Sequence, residues 1–199
     1  MHRTSIYEDL EFVEDIIRHN QDVIVIVDEA YIDFAGESAL SLLDKYDNLI
    51  ITQTFSKARS MAGMRIGYAI ASPLLIKYLN DAKYSFNSYT MNKLLWYTEQ
   101  KAVKDKEYFA ETTRKIVETR DWAEEEFKKL GFVFPKPSAN FIFVSHPEYD
   151  AKELFEAMKA KGIYVRFWGS ERIEQYLRVT IGTREEMETL FVFLREYMM

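Results

Sequence analysis

The 199-residue sequence is 48% hydrophobic and 15% aromatic, enough to bury a substantial core, and its formal net charge is −6. Net negative charge disfavours a nonspecific nucleic-acid binder, because that affinity comes mostly from neutralising phosphates. The absence of cysteine excludes disulfides and thiolate metal sites. No uncharged run reaches the roughly 18 residues that a membrane-spanning helix needs. We therefore expect a globular, cytoplasmic protein that neither binds nucleic acid nor spans a membrane.

The N-terminal part predicts a β-α-β unit, which is the building block of a parallel sheet. Ser5 and Glu8 have the spacing of a capping box, so a first helix is expected to begin there. Five consecutive β-branched residues at 23–27 predict a strand that is buried on both faces. A short helical stretch over 39–46 then leads to a second strand at 49–52.

The middle of the chain predicts one more strand and a long helical zone. The strand covers 65–72, and Pro73 suits the first position of the helix after it. The helical zone runs over 87–130, with an interruption between 101 and 108 where charged residues are dense. Gly131 is the expected C′ residue at its end.

The C-terminal part predicts a smaller domain of mixed helices and strands. Two pairs of capping residues each predict the start of a helix, and they are Asp150 with Glu153 and Thr183 with Glu186. Four strands are predicted, at 132–137, 140–145, 163–167 and 176–181. We therefore divide the chain near Leu130, into an α/β part at 1–130 and a small α+β domain at 131–199.

A polar segment between the second and third strands carries Lys57 and Arg65. Loops that follow buried strands often hold catalytic groups. A lysine amine can bond covalently to an aldehyde, and an arginine offers a planar fork to a phosphate. Taken alone, both residues fit a solvated surface better than they fit a binding site, because most lysines and arginines are exposed. Asp28 favours a site, because it ends the strand at 23–27, and open α/β sheets bind ligands beside the carboxyl ends of strands.

Together these residues resemble a known family. Asp28 and Tyr31, then Thr54, Ser56 and Lys57, and then the glycine-flanked arginine segment at 63–68 resemble the cofactor-binding core of the fold-type I pyridoxal-phosphate aminotransferases. The likeness is closest to the histidinol-phosphate aminotransferases. Later segments of the sequence match further motifs of the family in the same order, and they are 137–141, 163–166 and 177–183.

The resemblance implies a fold, a cofactor and substrates. The fold is α/β and consists of the C-terminal part of the large-domain parallel sheet of the PLP-transferases, followed by a small α+β domain. The implied cofactor is pyridoxal 5'-phosphate, and the implied reaction is an amino transfer in histidine biosynthesis. The substrates would be a small phosphorylated or aromatic amino donor and the 2-oxo acid 2-oxoglutarate.

The resemblance also assigns roles within the cofactor site. Lys57 would hold the cofactor aldehyde and move the proton during catalysis. Asp28 would pair with the pyridine nitrogen, and Tyr31 would donate to the phenolic oxygen of the ring. The phosphate would be held by two hydroxyls and one guanidinium, from Thr54, Ser56 and Arg65. For the two hydroxyls, a local hydrogen bond to the backbone is an equally good interpretation.

Two arginines in the C-terminal part are the implied substrate ligands. Arg178 would clamp the substrate α-carboxylate in a bidentate pair. Arg166 would reach a phosphate at the far end of the substrate, although an edge-strand charge that discourages aggregation is an equally good interpretation. The histidines show no ligand spacing, so no metal site is predicted, and they are His2, His19 and His146.

Several parts of the family pattern are missing from the sequence. They are the glycine-containing turn at the phosphate, the aromatic residue that stacks on the ring, and the segment that begins Asn-Pro. We therefore expect a C-terminal fragment with little activity alone, which forms a homodimer or pairs with an N-terminal half. Two other functions remain open, a non-catalytic interaction or PLP-sensing remnant and a related PLP-dependent decarboxylase of amino-acid phosphates.

Overall fold

The structure, a computed structural model, describes residues 4–199, which form two compact units. The first unit is Glu8–Thr112, and the second is Thr113–Met199 together with residues 4–7. The chain therefore passes from one unit to the other twice. This division lies earlier in the sequence than Leu130, and the domain boundary near Leu130 stays a prediction.

A mixed three-stranded sheet forms the centre of the first unit. Its strands lie in the order β1 (Val25–Asp28), β2 (Leu49–Thr54) and β3 (Gly67–Ala71). β1 runs parallel to β2, as the β-α-β pattern predicts. β3 runs antiparallel to β2, so the parallel sheet expected from the resemblance is mixed at this strand. As a result, β1 and β2 end at the same edge of the sheet at which β3 begins.

The prediction that the first strand is buried on both faces is wrong for the described residues. The exposed fraction of Ile26 is 62%, whereas Val25 and Val27 pack against a core that includes Ile17 and Ile51. Alternate residues of a strand point to opposite faces, so one face of β1 is covered and the other is open. The sequence favours burial because the residues are apolar, but burial also needs a covering element, and none of the described residues provides one.

Helix α1 (Leu10–His19) is capped by Asp9 rather than by Ser5. The Asp9 carboxylate accepts a hydrogen bond from the Phe12 amide at 2.8 Å. Ser5 instead has a left-handed backbone, φ 64°, and its fully buried hydroxyl donates to the carbonyl of Phe141 at 3.0 Å. The predicted capping box fails because the serine is engaged by a contact far away in the sequence.

The next three elements of the chain after β3 are α-helices, and they are α2 (Pro73–Phe86), α3 (Lys93–Lys104) and α4 (Lys106–Lys129). Pro73 opens α2 as predicted. The predicted interruption of the helical zone is a single non-helical residue, Asp105, between α3 and α4. Gly131 has φ 81°, as expected for a C′ residue. Short 3-10 helices occur at Ile32–Phe34, Ala39–Leu42 and Ala62–Met64.

The second unit packs helices against an antiparallel sheet. Its elements are the second part of α4, β4 (Phe141–Val144), α5 (Ala151–Ala160), β5 (Arg166–Phe167), β6 (Leu177–Thr180) and α6 (Arg184–Tyr197), with sheet order β4-β6-β5. The predicted strand at 132–137 is reduced to one bridge between Val133 and Ser145. The core includes Phe127, Ile142 and Phe191. Within residues 4–199, no helix has the length and apolar character needed to cross a bilayer.

Candidate functional site

The residues predicted to bind the cofactor ring and phosphate gather at one edge of the first unit's sheet. Asp28 ends β1 and lies opposite Thr52, and Thr54 ends β2 opposite Gly67. Because β3 starts at this edge, Arg65 also falls here, two residues before the strand. The register of the strands therefore brings a carboxylate, a hydroxyl and a guanidinium to a common edge.

Lys57 lies in the turn that follows β2, and its amine faces an aromatic ring. The Nζ atom is 5.0 Å from the centroid of the Tyr31 ring. Within the part of the chain that the structure describes, Lys57 makes no ion pair with a carboxylate. At the end of β1, the Asp28 carboxylate accepts a hydrogen bond from the Ala30 amide at 3.0 Å, which orients the turn toward Tyr31. The Lys57 amine thus lies beside the Tyr31 ring.

The two candidate phosphate hydroxyls are already in contact with each other. Thr54 Oγ1 is 3.0 Å from Ser56 Oγ and 3.2 Å from the carbonyl of Ile66, and it accepts a hydrogen bond from the Ser56 amide at 3.1 Å. These contacts fix the two oxygens side by side, and they also match the alternative of local hydrogen bonding. Arg65 is exposed in a left-handed conformation, φ 56° and ψ 40°, and its guanidinium donates to the Ala62 carbonyl at 3.1 Å.

Glu29, which the sequence reasoning did not single out, supports this edge from the opposite face of the sheet. Glu29 is only 5% exposed. Its carboxylate accepts hydrogen bonds from the Ser38 hydroxyl at 2.7 Å, the Ala39 backbone amide at 2.6 Å and the Gln53 side-chain amide at 2.8 Å. The Gln53 carbonyl in turn accepts from the Tyr68 hydroxyl. The three strands are thereby joined one residue away from Asp28 and Thr54. In the sequence, the position of Glu29 next to Asp28 was the only indication that it belongs to this edge.

The two predicted substrate arginines lie together in the second unit. Arg166 on β5 is the cross-strand partner of Arg178 on β6. Each guanidinium carbon is 5.4 Å from the centroid of the Trp168 ring, and that of Arg178 is also 4.8 Å from the Phe141 ring. The Arg178 Nε atom is buried and has no hydrogen-bond partner, and neither arginine forms an ion pair with a described carboxylate. Two neighbouring cations supported by aromatic rings are a suitable site for an anion.

The described histidines bond to the backbone. His19 contacts the Asp15 carbonyl at 2.9 Å, and His146 contacts the Leu130 carbonyl at 3.0 Å. His2 lies outside the described residues. Over residues 4–199, no group of three or more His, Asp or Glu side chains is arranged to hold a metal ion.

Comparison with known proteins identifies a family that matches almost the whole chain. The family model described as aminotransferase class I and II matches residues 4–194. Histidinol-phosphate aminotransferase of Clostridium botulinum (strain Okra / Type B1) is 46% identical over 185 residues, which are 93% of this chain and 52% of that protein. Histidinol-phosphate aminotransferase of Lactococcus lactis subsp. cremoris (strain MG1363) is 47% identical over 189 residues, 95% of this chain and 53% of that protein.

The fold is also found among solved structures. Histidinol-phosphate aminotransferase from Sinorhizobium meliloti, in complex with pyridoxal-5'-phosphate, superposes with a TM-score of 0.86 at 26% identity, covering 99% of this chain and 55% of that one. The chain therefore spans about half the length of the curated relatives it matches. The α/β fold implied by the resemblance is confirmed as a part of this larger fold.

Proposed function

Because this chain belongs to the class I and II aminotransferase family, we propose that it supplies the lysine-bearing part of a histidinol-phosphate aminotransferase-like active site. The observation that carries the proposal is the placement of the Lys57 amine 5.0 Å from the Tyr31 ring, at the edge where β1 and β2 end. An unpaired amine, a carboxylate and two adjacent hydroxyls at one sheet edge match the functional groups of pyridoxal 5'-phosphate one by one.

The residues fit the cofactor ring in the following way. The Lys57 amine would hold the cofactor through its aldehyde, with loss of water, and Tyr31 would donate to the phenolic oxygen of the ring. Asp28 would pair with the pyridine nitrogen and keep it protonated. When bound, the cofactor supplies an electron sink for the bond that breaks at the substrate α-carbon. Once a substrate amine has displaced it from the aldehyde, the Lys57 amine would take the proton from that carbon as a general base and return it as a general acid.

The phosphate of the cofactor is assigned to the hydroxyl pair and Arg65. Thr54 Oγ1 and Ser56 Oγ are 3.0 Å apart, so both can donate to the same anion after a rotation of their hydroxyl hydrogens. Arg65 is exposed at the same edge, and its present bond to the Ala62 carbonyl leaves other guanidinium N–H groups available. Charge-assisted hydrogen bonds of this kind would hold the phosphate at the sheet edge.

The substrate anions are assigned to the paired arginines of the second unit. Arg178 would clamp the α-carboxylate of 2-oxoglutarate, because its guanidinium fork matches a carboxylate. Arg166, its cross-strand neighbour, binds the phosphate of a phosphorylated donor. The names of the relatives point to histidinol phosphate as that donor.

We also propose that this 199-residue chain turns over slowly by itself, because it spans about half the length of the relatives. Much of an enzyme's rate comes from a closed and preorganised site. The remaining walls would come from a partner, either a second copy of this chain in a homodimer or a separate polypeptide equivalent to the N-terminal half of the relatives.

The test is covalent labelling of the purified chain. Pyridoxal phosphate is added, the mixture is reduced with borohydride, and the modified peptide is located by mass spectrometry. We expect modification at Lys57, and we expect its loss in Lys57→Ala with an unchanged circular dichroism spectrum, because a partly exposed loop lysine contributes little to the core.

Lys101→Ala is the matched control, since it removes an exposed lysine from the same unit. Labelling that survives in Lys57→Ala, or that is spread over many lysines, would favour a non-catalytic remnant. Steady transamination of histidinol phosphate with 2-oxoglutarate by the monomeric chain, with its mass checked by light scattering, would contradict the proposed dependence on a partner.

A further inference from the structure

Arg59, two residues after Lys57, makes three contacts that the proposed chemistry does not use. Its guanidinium donates to the carbonyl of Ala102 at 2.8 Å. The guanidinium carbon is 4.0 Å from the centroid of the Phe109 ring and 5.5 Å from that of Phe55. The side chain is therefore held between the Lys57 turn and the two helices α3 and α4, all within the first unit.

The turn that carries both residues is tightly closed. The Ser60 amide donates to the Lys57 carbonyl at 2.9 Å, and the Met61 amide donates to the Phe55 carbonyl at 2.9 Å. Ser60 has a left-handed backbone, φ 54°, which reverses the chain at this point. Because these bonds join Lys57 and Arg59 into one short loop, a restraint on the arginine side chain also restrains the backbone of the lysine.

The far end of the contact is a helix terminus that needs a donor. Ala102 lies in the last turn of α3, where backbone carbonyls lack a partner within the helix, and the helix dipole favours a cation there. Phe109 lies in the first turns of α4, directly after the break at Asp105. Helix α4 continues through Lys129, so it belongs to both compact units.

We propose that Arg59 is a positioning residue that holds the Lys57 turn against the α3–α4 corner. The role rests on the proposed function of Lys57. Without the arginine side chain, the turn loses its hydrogen bond to Ala102 and its ring contact with Phe109, and the Lys57 amine samples more orientations. Through Phe109, Arg59 also links the turn to the first part of α4.

Arginine suits this place better than lysine for a geometric reason. One face of the planar guanidinium stacks on a ring while its edge donates to a carbonyl, and an ammonium group cannot do both in the same way. Arg59 also lines a cleft of about 260 Å³ together with Lys101, Asp105 and Tyr108. A shorter side chain would extend this cleft under the turn.

The first experiment measures the link itself, without any cofactor. Hydrogen exchange is followed by mass spectrometry in the wild type, Arg59→Lys, Arg59→Ala and the control Lys101→Ala, which removes another cation from the same cleft and the same end of α3. Circular dichroism confirms that each variant is folded, and Arg59→Lys covers the case in which Arg59→Ala is not.

We expect about tenfold faster exchange in both segments 55–61 and 98–112 for the Arg59 variants, and no change for Lys101→Ala. Faster exchange in only one segment, or an equal effect of Lys101→Ala, would overturn the proposed link.

The second experiment measures the effect on Lys57. The rate of borohydride-trapped labelling of Lys57 by pyridoxal phosphate is compared among the same four proteins. We expect about tenfold slower labelling in both Arg59 variants and a wild-type rate in Lys101→Ala. An unchanged rate in the Arg59 variants would overturn the positioning role while leaving the proposed function intact. A wild-type chain that is not labelled at Lys57 would overturn the proposed function, and the positioning role with it.

Discussion

Two arginines of the second unit, Arg120 and Arg178, have opposite surroundings. Arg120 is 6% exposed and donates to the Ala139 carbonyl at 3.2 Å, with the buried Glu124 carboxylate 3.9 Å away. Arg178 has aromatic rings beside it but no ion pair among the described residues, and its Nε atom is buried without a hydrogen bond. A cation kept without a partner costs stability, which is typical of binding sites rather than of structural pairs.

This contrast gives a prediction about the free energy of unfolding. Arg120→Met should lower it by about 3 kcal/mol, because the substitution removes a partner from a buried carboxylate. Arg178→Met should change it by less than about 1 kcal/mol, because methionine keeps much of the packing and removes an uncompensated charge. Urea unfolding of both variants, followed by circular dichroism, checks the two values. Equal losses in the two variants would make Arg178 a structural residue and remove the main support for the substrate site.

Candidate site residues could be predicted from the sequence where their chemical type and their position along the chain were enough to identify them. Lys57 and Asp28 belong to this group, because strand ends and the loops after strands can be read from the sequence, and their roles remain proposals. Glu29 and Arg59 were missed, because their significance depends on partners elsewhere in the chain. Arg59 and its acceptor Ala102 are 43 positions apart. No local pattern contains such a contact.

For the helices and strands, most predictions from local capping motifs are confirmed, whereas the prediction that β1 is buried on both faces is wrong. Thr183 and Glu186 form the predicted capping box of α6, and Asp150 caps α5, because both motifs act within four residues. The same motif at Ser5 failed, since its hydroxyl bonds to Phe141. The burial of Ile26 was also predicted wrongly, because apolar character shows only that a residue can be buried.

Helices α4 and α6 are joined by the carboxylate of Glu126. Glu126 on α4 is bonded to Lys129 at 2.6 Å and to Arg195 on α6, and its side chain is 10% exposed. The hydrogen bond from Lys129, with a further bond from Arg195, holds the pKa of Glu126 below its ordinary 4.5, although burial opposes the shift. A carboxyl group with a lower pKa in the folded state stabilises the fold above its unfolded pKa, and this contribution is lost as the pH falls through the folded pKa.

We therefore expect Glu126→Gln to lower the free energy of unfolding by about 1 kcal/mol at pH 7. The expected loss is small because Lys129 and Arg195 are exposed, so that water screens their attraction to the carboxylate. The difference from the wild type should shrink as the pH falls below 4.5, the ordinary pKa of the group. Urea unfolding at a series of pH values measures it. Glu125→Gln is the neighbouring control, because Glu125 is exposed and its bond to Lys128 is screened by water. A difference for Glu126→Gln that does not depend on pH would contradict the assignment.

At the scale of the whole molecule, one open surface is the β1 edge of the first unit's sheet. Among the described residues β1 pairs only with β2. Three apolar residues at or beside this edge are each more than half exposed, and they are Val23, Ile24 and Ile26. An apolar edge strand with unpaired backbone groups is a template for pairing with another chain. The relatives are about twice as long as this chain, so a partner that continues the sheet agrees with the proposed function.

The last prediction follows from this edge. The chain should self-associate, or bind a separate polypeptide equivalent to the N-terminal half of the relatives, with β1 in the contact. Ile26→Lys should weaken self-association, because a charge on an exposed edge strand opposes pairing and removes apolar area from the contact. Val192→Lys is the matched control, since Val192 is 51% exposed but lies on α6 in the second unit. Size-exclusion chromatography with light scattering over a series of concentrations measures the mass. A wild-type chain that stays monomeric at every concentration, with slow hydrogen exchange along β1, would show that the edge is covered within the chain itself.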